Sequence, residues 1–357
     1  MAKFPYFKDI LTGVSIGMAI GILILILLLG LYLAIPRSYD YVYGEKITVD
    51  VLNSIENDKN PQNHEELAAA IIDWECTNFE PMWTRNNGNT TLKNLGVFNI
   101  DGNYRLFLRN GPATWILYNK MACCGEYANA FAYLMNKSGY ESRIVHVPGE
   151  DHAWAEYFVN GEKYVVEPSH NNSKMNTTKR GAEGQWSYVE SYDPNNSSDK
   201  IDVSDEYFEC GNLTVSVYRD EKPVEDLNVV IKSGLLLNLD SRYTDPRAVT
   251  SKTTDESGSV NFKLGEKTYI VEVVDHYPLI DWKYSKNVTM VVGDTSELRY
   301  DLEKDSKIYN VNWGTIRWYG LSFIFMVELI LIALNWKKIK KLAPILKINI
   351  KIPLFHK

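Results

Sequence analysis

Two long apolar runs, one near each end of the 357-residue chain, constrain its fold more than any other feature. Residues 10–36 carry no charge, and residues 318–336 carry only Glu328. A bilayer is crossed by ~20 apolar residues, whereas a cleaved signal peptide has an apolar region of ~7–15 residues. We therefore expect two uncleaved transmembrane helices, at residues 10–35 and 313–336.

The distribution of charge predicts which side of the membrane each part occupies. The last 21 residues, the tail 337–357, contain seven lysines and no acid, and residues 1–9 contain Lys3 and Lys8. The positive-inside rule then places both termini in the cytoplasm and residues 37–312 outside the cell. The ends hold 10 of the 38 basic and 2 of the 45 acidic residues, which leaves 28 basic and 43 acidic residues between them, a net charge of −15. This acidic exterior argues against a nucleic-acid partner.

The apolar runs also indicate where a second helix in the bilayer could pack. Gly13, Gly17 and Gly21 repeat every four residues and share one helix face, which lets another helix approach closely. The ordinary glycine content of membrane helices explains the three residues equally well. Glu328 lies in the middle of the second run, where a carboxylate is costly and usually faces protein. We expect Glu328 to turn toward the first helix or toward a partner helix.

Changes of pattern divide the chain between the apolar runs into four segments. Residues 36–60 are polar and are expected to form an irregular stalk. Residues 61–190 alternate helix and strand signals, beginning with a helix from His64 to Phe79, and are expected to form one domain. Residues 191–208 are rich in Ser, Asp and Asn, which indicates a linker. Residues 209–304 form the last segment.

Alternating apolar residues predict an all-β domain over residues 209–304. Leu213, Val215 and Val217 alternate with polar residues, and turn signals separate such runs. Short strands at this spacing are typical of a β-sandwich, and the stretch resembles the small carboxypeptidase-regulatory or collagen-adhesin B modules. Its expected role is a spacer or binding module near the membrane. Glycosylation sequons fit an exported domain, although a chain rich in Asn also contains them by chance; they are at Asn89, Asn136, Asn171, Asn176, Asn195, Asn196, Asn212 and Asn287.

A cysteine begins one of the predicted helices. Cys124, Tyr127, Ala128 and Phe131 share one face, and Gly139 is expected to end the helix. The positive end of a helix dipole favours the thiolate form of a cysteine and lowers its pKa. A single cysteine on a helical stripe is usually a core residue, but this position also provides the electrostatic environment of a nucleophile.

A β-hairpin places a histidine beside a carboxylate. Asn160-Gly161 is a strong two-residue turn signal, and pairing across it sets Trp154 opposite Glu167. His152 lies two residues before Trp154 on the same face, so His152 and Glu167 are diagonal neighbours within ~8 Å. With Cys124 they form a Cys-His-acid arrangement. In it Cys124 attacks a carbonyl, His152 transfers the proton and Glu167 orients His152.

Three motifs in this order resemble the core of the transglutaminase-like superfamily, and their local sequence is closest to the peptide N-glycanase branch. The resemblance covers about residues 66–170 and implies a papain-like α+β fold, with the cysteine helix packed on an antiparallel sheet. Glu167 stands where the family usually has Asp. The zinc motifs of the glycanases are absent, so glycan removal is not expected, and no calcium-site pattern of animal transglutaminases is present. Many membrane-anchored microbial and archaeal members look like cysteine peptidases. The motifs are Cys124-Gly125-Glu126-Tyr127-Ala128, Asp151-His152-Ala153-Trp154-Ala155-Glu156 and Glu167-Pro168.

Tryptophans and backbone groups are the candidates for stabilising an oxyanion. The backbone N–H of Cys124 is the expected first donor. Trp83 is the candidate for the second donor, with Trp74 and Trp115 behind it, and Trp154 is a further candidate for the donor or the cleft wall.

The other cysteines and histidines have alternative assignments. Cys123 is expected to pack against the helix or to form a disulfide with Cys76 or Cys210. His170 is expected at the surface, with a place in the cleft as the alternative. The chain contains no Cys-x-x-Cys or His-Glu-x-x-His spacing, so no metal site is expected.

Together these patterns predict an α+β chain with a transglutaminase-like, papain-like core and an all-β sandwich, flanked by two transmembrane helices. The expected function is that of a membrane-anchored thiol enzyme that needs no cofactor and acts on a peptide or protein outside the cell. Water as acceptor makes it a peptidase or amidase, and a lysine amine makes it a cross-linking transamidase. A catalytically silent binding module of a cell-surface assembly is the alternative from another class.

Overall fold

The computed structural model has a mixed helix and sheet fold. It describes residues 7–82, 97–100, 103–106, 111–150, 152–169, 186–233, 247–312, 315–317, 319–320, 322 and 326. The helices are α1 (Phe7–Lys59), α2 (His64–Asn78), α3 (Ala113–Asn119), α4 (Cys124–Lys137) and α5 (Ser204–Tyr207). The earlier strands are β1 (Glu80–Pro81), β2 (Val97–Ile100), β3 (Asn103–Leu106), β4 (Met121–Ala122), β5 (Ser142–Val147), β6 (His152–Val159), β7 (Glu162–Val166), β8 (Glu190–Asp193) and β9 (Asn196–Asp202). The later strands are β10 (Gly211–Arg219), β11 (Lys222–Pro223), β12 (Asn228–Ser233), β13 (Arg247–Thr253), β14 (Ser259–Leu264), β15 (Thr268–His276), β16 (Ile280–Thr289), β17 (Thr295–Asp301) and β18 (Lys307–Val311).

Contacts divide the chain into two compact units. The first comprises residues 1–35, 277–281 and 311–357, and the second comprises residues 36–276 and 282–310. The second unit contains both of the domains that the sequence predicts. Below, its part up to residue 208 is called the first module and its remainder the second module.

The helix α1 continues through the segment that was expected to be an irregular stalk. Residues 36–59 are helical, with Pro36 inside the helix, where it removes one backbone hydrogen bond. Val51 and Ile55 lie four residues apart and are buried in the core of the first module. This packing stabilises one face of the helix. The prediction of an irregular stalk is therefore wrong.

Among the residues that the structure describes, no helix combines the length and the apolar character needed to cross a membrane. Residues 10–35 lie within α1, and most of residues 313–336 fall outside the described part of the chain. The helix contacts expected for Gly13, Gly17 and Glu328 also concern residues whose surroundings are not described.

The first module is built on a five-stranded antiparallel sheet. Its strand order is β7-β6-β5-β8-β9. Val159 pairs with Glu162, which confirms the predicted hairpin register. Asn160 and Gly161 both have positive φ, as a two-residue hairpin turn requires.

Strands β8 and β9 and helix α5 occupy most of residues 191–208, which were predicted to be a linker. Strand β8 pairs with β5, and β9 pairs with β8 at the edge of the sheet. The Ser, Asp and Asn side chains of this segment suit an edge strand, which keeps polar groups toward solvent. The linker prediction is wrong because a polar edge hairpin and a linker have the same composition.

The helix α4 packs on β5 and β6 and contributes its apolar face to the core. Ala128 and Phe131 are completely buried, as the predicted helical face requires. Gly139 has a φ of 93° and ends the helix where predicted. The backbone N–H of Tyr140 then donates to the carbonyl oxygen of Met135 at 3.1 Å.

Two sheets pack face to face in the second module. One has the order β11-β10-β14 with β17 beside β10, and the other has the order β13-β12-β15-β16-β18. Leu213, Val215 and Val217 of β10 share one buried core with Val229 and Ile231 of β12. The alternation that predicts a β-sandwich therefore corresponds to the inward-facing residues of two sheets.

Candidate active site

His152 and Glu167 meet at the open end of the β6–β7 hairpin, as the register predicts. Nε2 of His152 lies 2.7 Å from Oε1 of Glu167. The histidine side chain is 18% exposed and the glutamate side chain 8%, so solvent screens this contact little. Because Nε2 donates its N–H to the carboxylate, the ring tautomer is fixed and Nδ1 is the atom that can exchange a proton.

Two tryptophan rings enclose the imidazole of His152. Trp186 stacks on it with ring centroids 5.9 Å apart and an interplanar angle of 14°, and the ring of Trp154 lies 5.8 Å away. Trp154 is completely buried, and its Nε1 donates to the Tyr207 hydroxyl at 3.1 Å, which donates to Glu156 Oε2 at 2.8 Å. The indole N–H of Trp154 is thus committed to the core. This corrects the expectation that Trp154 is an oxyanion donor or a cleft wall.

Cys124 is the first residue of α4 and is half-buried against the first-module core. Ser142 pairs with Tyr157 near the end of β6 and donates its hydroxyl to the carbonyl oxygen of Ala132. The second half of α4 therefore lies near the end of β6. The first turn of α4 lies beside Cys76, whose thiol contacts the residue after Glu167, so Cys124 lies toward the end of the sheet that carries Glu167.

The thiol of Cys76 joins the acid segment to the first turn of α4. Its Sγ donates to the carbonyl oxygen of Pro168, the residue after Glu167, at 3.5 Å. Burial, and then the proximity of Cys76, raises the pKa of the Tyr127 hydroxyl on α4. Burial raises the pKa of Cys76 itself to about 11. Cys76 is therefore a neutral thiol at pH 7 and is not a nucleophile.

Glu75 is a buried carboxyl group behind this cluster that no sequence pattern indicates. It is 0% exposed, and neither of its oxygens has a hydrogen-bond partner among the described residues. Burial raises its pKa well above the usual range for a glutamate. Burial therefore favours the neutral form of this carboxyl group.

The first turn of α4 is stabilised by Glu126. The backbone N–H of Cys123 donates to Glu126 Oε2 at 3.0 Å, and the N–H of Tyr127 donates to the carbonyl oxygen of Cys123 at 3.0 Å. No disulfide joins any two of the four cysteines, all of which lie in the described part of the chain. Cys123 therefore has no bridge to Cys76 or Cys210, and its predicted packing role is the alternative that stands.

Some of the predicted site residues lie elsewhere or outside the description. Trp83, Asp151 and His170 are not among the described residues. Trp74 packs against the first-module core, and Trp115 packs edge-on against a tyrosine of α1. The structure therefore assigns no oxyanion donor to Trp74 or Trp115.

Two neighbours of the site, Trp186 and Glu150, have no sequence pattern that indicates them. Trp186 lies 34 positions after His152 in the chain and reaches it only through the folded structure. Glu150 lies in the turn before β6, and its Oε2 accepts the N–H of Ser187 at 2.8 Å. The one available signal for Glu150 is its position two residues before the histidine.

The chemical groups brought to this end of the module are a thiol, an imidazole and a carboxylate. Within the described ranges, no three or more His, Cys, Asp and Glu side chains are arranged to hold a metal ion. A thiol at a helix start with a carboxylate-bound imidazole at the same end is suited to nucleophilic acyl transfer.

Solved structures similar to this chain include two pilus proteins and an oxygenase. The alignment with the shaft pilin SpaA from Lactobacillus rhamnosus GG covers 28% of this chain and 50% of the pilin, at 8% identity and a TM-score of 0.21. The pilus adhesin RrgA from Streptococcus pneumoniae aligns over 56% of this chain and 37% of the adhesin, at 9% identity and a TM-score of 0.17. The alignment with a 9R-lipoxygenase from Cyanothece covers 26% of this chain and 16% of the lipoxygenase, at 9% identity and a TM-score of 0.16. The chain spans half or less of each protein, and such low scores support no argument about function.

Sequence comparison identifies the part of the chain that carries the site. No curated protein matches the chain. The family model of the transglutaminase-like superfamily matches residues 50–167, which begin in α1 and end at Glu167. The match includes Cys124 and His152 as well. Residues 50–167 of this chain are therefore a transglutaminase-like superfamily domain.

Proposed function

We propose that this chain is a thiol enzyme that acts on peptide or amide bonds through Cys124, His152 and Glu167. The observation that carries the proposal is the 2.7 Å contact between Nε2 of His152 and Oε1 of Glu167. A carboxylate that holds one imidazole tautomer is what a histidine needs when it must accept and return a proton in each cycle. The position of Cys124 at the start of α4 supports the same reaction.

In the first half-reaction, the Cys124 thiolate attacks the carbonyl carbon of the amide. The carbonyl electron pair moves to oxygen, and the backbone N–H of Cys124 stabilises this oxyanion from the first turn of α4. The C–N bond then breaks, and Nδ1 of His152 gives its proton to the departing amine. The acyl group is left as a thioester on Cys124.

In the second half-reaction, an acceptor attacks the thioester. His152 removes a proton from the acceptor, the C–S bond breaks, and the thiolate–imidazolium pair is restored. Throughout, Glu167 accepts the Nε2–H and stabilises the positive charge on the ring. We propose water as the acceptor, which makes the enzyme a peptidase or amidase, because the 18% exposure of His152 gives water access to the imidazole. A lysine amine as acceptor would make it a transamidase.

The ionisation of the Cys124 thiol tests whether the site is catalytic. The full-length chain is labelled with iodoacetamide across pH, and the rate at Cys124 is compared with the rate in His152→Ala. The enzyme proposal predicts an apparent pKa well below ~8.5 that depends on His152. Cys210, whose pKa burial raises to about 12, is the control thiol and should label slowly. Labelling of Cys124 at the rate of a free thiol, unchanged in His152→Ala, would instead indicate a catalytically silent binding module.

The reaction itself is tested with two assays on the same preparation. Peptide-library hydrolysis and incorporation of a fluorescent amine are measured for the wild type and for Cys124→Ala. The proposal predicts hydrolysis that is lost in Cys124→Ala, with little amine incorporation. Dominant amine incorporation would identify a cross-linking transamidase and overturn the choice of water as acceptor.

The proposed substrate is a peptide or protein outside the cell, and the proposed location is the cell membrane. The charge-free residues 10–35 and the seven lysines of the tail 337–357 support this topology. Carbonate extraction and protease treatment of intact cells test it. Retention in the membrane pellet, with residues 37–312 cleaved from outside, is the expected result. Extraction by carbonate would contradict the two anchors.

A further inference from the structure

We infer that the second module positions His152, with Lys267 as a positioning residue and Gly265 as the contact that holds Trp186 over the imidazole. This inference rests on the proposed function, because the placement of the ring matters for activity only if His152 moves protons. The residues concerned all belong to one compact unit. They hold two segments that flank the histidine.

The first segment is the turn that leads into β6. Gly149 in this turn has a φ of 74°, and a Cβ on it would lie 2.6 Å from the carbonyl oxygen of Ala248 on β13. Only glycine accommodates both the left-handed backbone and this close approach. The backbone at Gly149, three residues before His152, therefore contacts the backbone of the second module at Ala248.

An ion pair continues this contact one residue later. Glu150 is buried, and its Oε1 lies 2.8 Å from Nζ of Lys267, whose side chain is 13% exposed. The same carboxylate accepts the N–H of Ser187 at 2.8 Å and the hydroxyl of that serine. Lys267 also donates to the Ser187 hydroxyl at 3.0 Å. Burial lowers the pKa of Lys267, and the Glu150 charge opposes that shift.

The second segment is Trp186-Ser187, which follows the first module's active-site strands and lies against the β14–β15 turn. A Cβ on Gly265 would lie 2.3 Å from the carbonyl oxygen of Trp186. The carbonyl oxygen of Ser187 accepts the N–H of Gly265 at 3.1 Å and the Tyr269 hydroxyl at 3.4 Å. The second module thus fixes the backbone that carries the tryptophan stacked on His152.

These contacts act on the histidine from two directions. The turn at Glu150 sets where β6 begins, and the ring of Trp186 limits rotation of the imidazole. The hydrogen bond from Nε2 to Glu167 restrains the imidazole in addition. Because a misplacement of about 1 Å at a reacting group can cost about 100-fold in rate, loss of either segment should reach the chemistry.

A purely structural latch is the competing explanation. A buried ion pair holds modules together whether or not the site works, and removal of one partner leaves an unpaired charge. A latch of this kind predicts lower stability with an unchanged Cys124 labelling profile and unchanged kcat in the folded protein. Positioning predicts a lower kcat, an unchanged KM, and an altered pH profile of Cys124 labelling.

The first test is Lys267→Met in the full-length chain. We expect kcat for peptide hydrolysis, and the labelling rate of Cys124 below pH 8, to fall about 10- to 100-fold, with recovery in Lys267→Arg. Lys232→Met is the matched control, because Lys232 forms a 2.7 Å ion pair with Glu272 within the second module. This control should retain wild-type values. If Lys267→Met does not fold, Glu150→Gln combined with Lys267→Met removes both charges and takes its place.

The second test leaves the charges intact. Gly265→Ala places a methyl group against the Trp186 carbonyl and should displace the tryptophan, with the same loss of kcat and an unchanged KM. Gly258→Ala is the control, since its Cβ would lie 2.7 Å from the carbonyl oxygen of Val217 in another turn of the same module. Thermal unfolding reports how far each variant loses stability.

The outcomes separate this inference from the proposed function. If wild-type Cys124 shows no His152-dependent thiolate, the proposed function fails before any variant is compared. If the wild type shows it and both Lys267→Met and Gly265→Ala retain kcat and the labelling profile, the positioning role is overturned. Equal losses in the Lys232→Met and Gly258→Ala controls overturn it as well, because general destabilisation then explains the effect.

Discussion

The first and second modules bury different kinds of side chain. In the described residues of the second module, Asp275 is the one buried acid, and Arg219 pairs with it. The rest of that core is built from alternating Val, Leu, Ile and aromatic side chains. Among the described residues of the first module, six glutamates are buried; they are Glu75, Glu126, Glu150, Glu156, Glu167 and Glu190.

This difference separates stability from chemistry. Moving a carboxyl group out of water costs free energy unless hydrogen bonds or opposite charges compensate, so apolar cores are the simpler solution. The second module follows that solution and is expected to be the more tolerant scaffold. The first module gives up stability to hold acids in defined places, and Glu167 beside His152 is the place where the proposed reaction uses one.

The largest expected effect is the loss of activity in His152→Ala. Removal of the proton-transferring group should lower kcat/KM for peptide hydrolysis about 10²- to 10⁴-fold with little change in the unfolding midpoint. His146→Ala is the matched control, because His146 on β5 lies 3.3 Å from Glu190 in a similar pair. Steady-state assays on both variants sharpen the comparison, and equal losses would show that paired histidines of this sheet serve the fold rather than the reaction.

The next effect concerns the core of the second module. Phe262→Ala removes a fully buried ring from the sandwich and should lower the free energy of unfolding by about 3–5 kcal/mol. Urea denaturation followed by far-UV circular dichroism measures the change. Val291→Ala, at an exposed position, is the control and should stay near the wild type. A small effect for Phe262→Ala would mean that this module is not the apolar scaffold described above.

A smaller effect is expected from shortening the acid. Glu167→Asp withdraws the carboxylate by one methylene from Nε2 of His152 and should lower kcat about 100-fold, although the superfamily usually has Asp here. Steady-state kinetics measure the loss. Wild-type activity in Glu167→Asp would show that the backbone after β7 adapts to either acid.

The last prediction concerns pH and the buried acid Glu75. Burial raises its folded-state pKa above the unfolded value of 4.5, so the native state binds the extra proton. Its contribution to stability is therefore complete below pH 4.5 and is lost as pH rises, by about 1.4 kcal/mol per pH unit until the folded pKa is reached. Glu75→Gln should match the wild type at pH 4 and exceed it at pH 8 in urea denaturation. Glu65→Gln, at an exposed position on α2, should show no such difference, and parallel curves for Glu75→Gln would contradict the neutral state of Glu75.

Local patterns predict the parts of the fold that short-range physics decides. The Asn160-Gly161 turn sets the hairpin register, and that register brings His152 to Glu167. The buried face of α4 follows from helical periodicity, and the helix ends at Gly139 because glycine readily adopts the positive φ found there. Each of these depends on residues that are close in sequence.

Long-range contacts decide the parts that sequence patterns miss. Residues 36–59 look like a stalk because the partner that buries Val51 and Ile55 lies far along the chain. The edge hairpin at residues 191–202 has the composition of a linker. Trp186 stacks on His152 from far along the chain, and its backbone lies against Gly265 of the second module, so no local periodicity indicates it.

The contact between Gly149 and Ala248 has a consequence for truncated forms of this protein and for hybrids with other proteins. A fragment that ends before residue 209 leaves the Glu150 carboxylate without its ammonium partner and removes the wall behind Trp186. A hybrid that keeps the first module but takes its β-sandwich from an unrelated protein lacks the same Lys267 and Gly265 contacts. These contacts predict that the two modules must be transferred together for the site to keep its geometry.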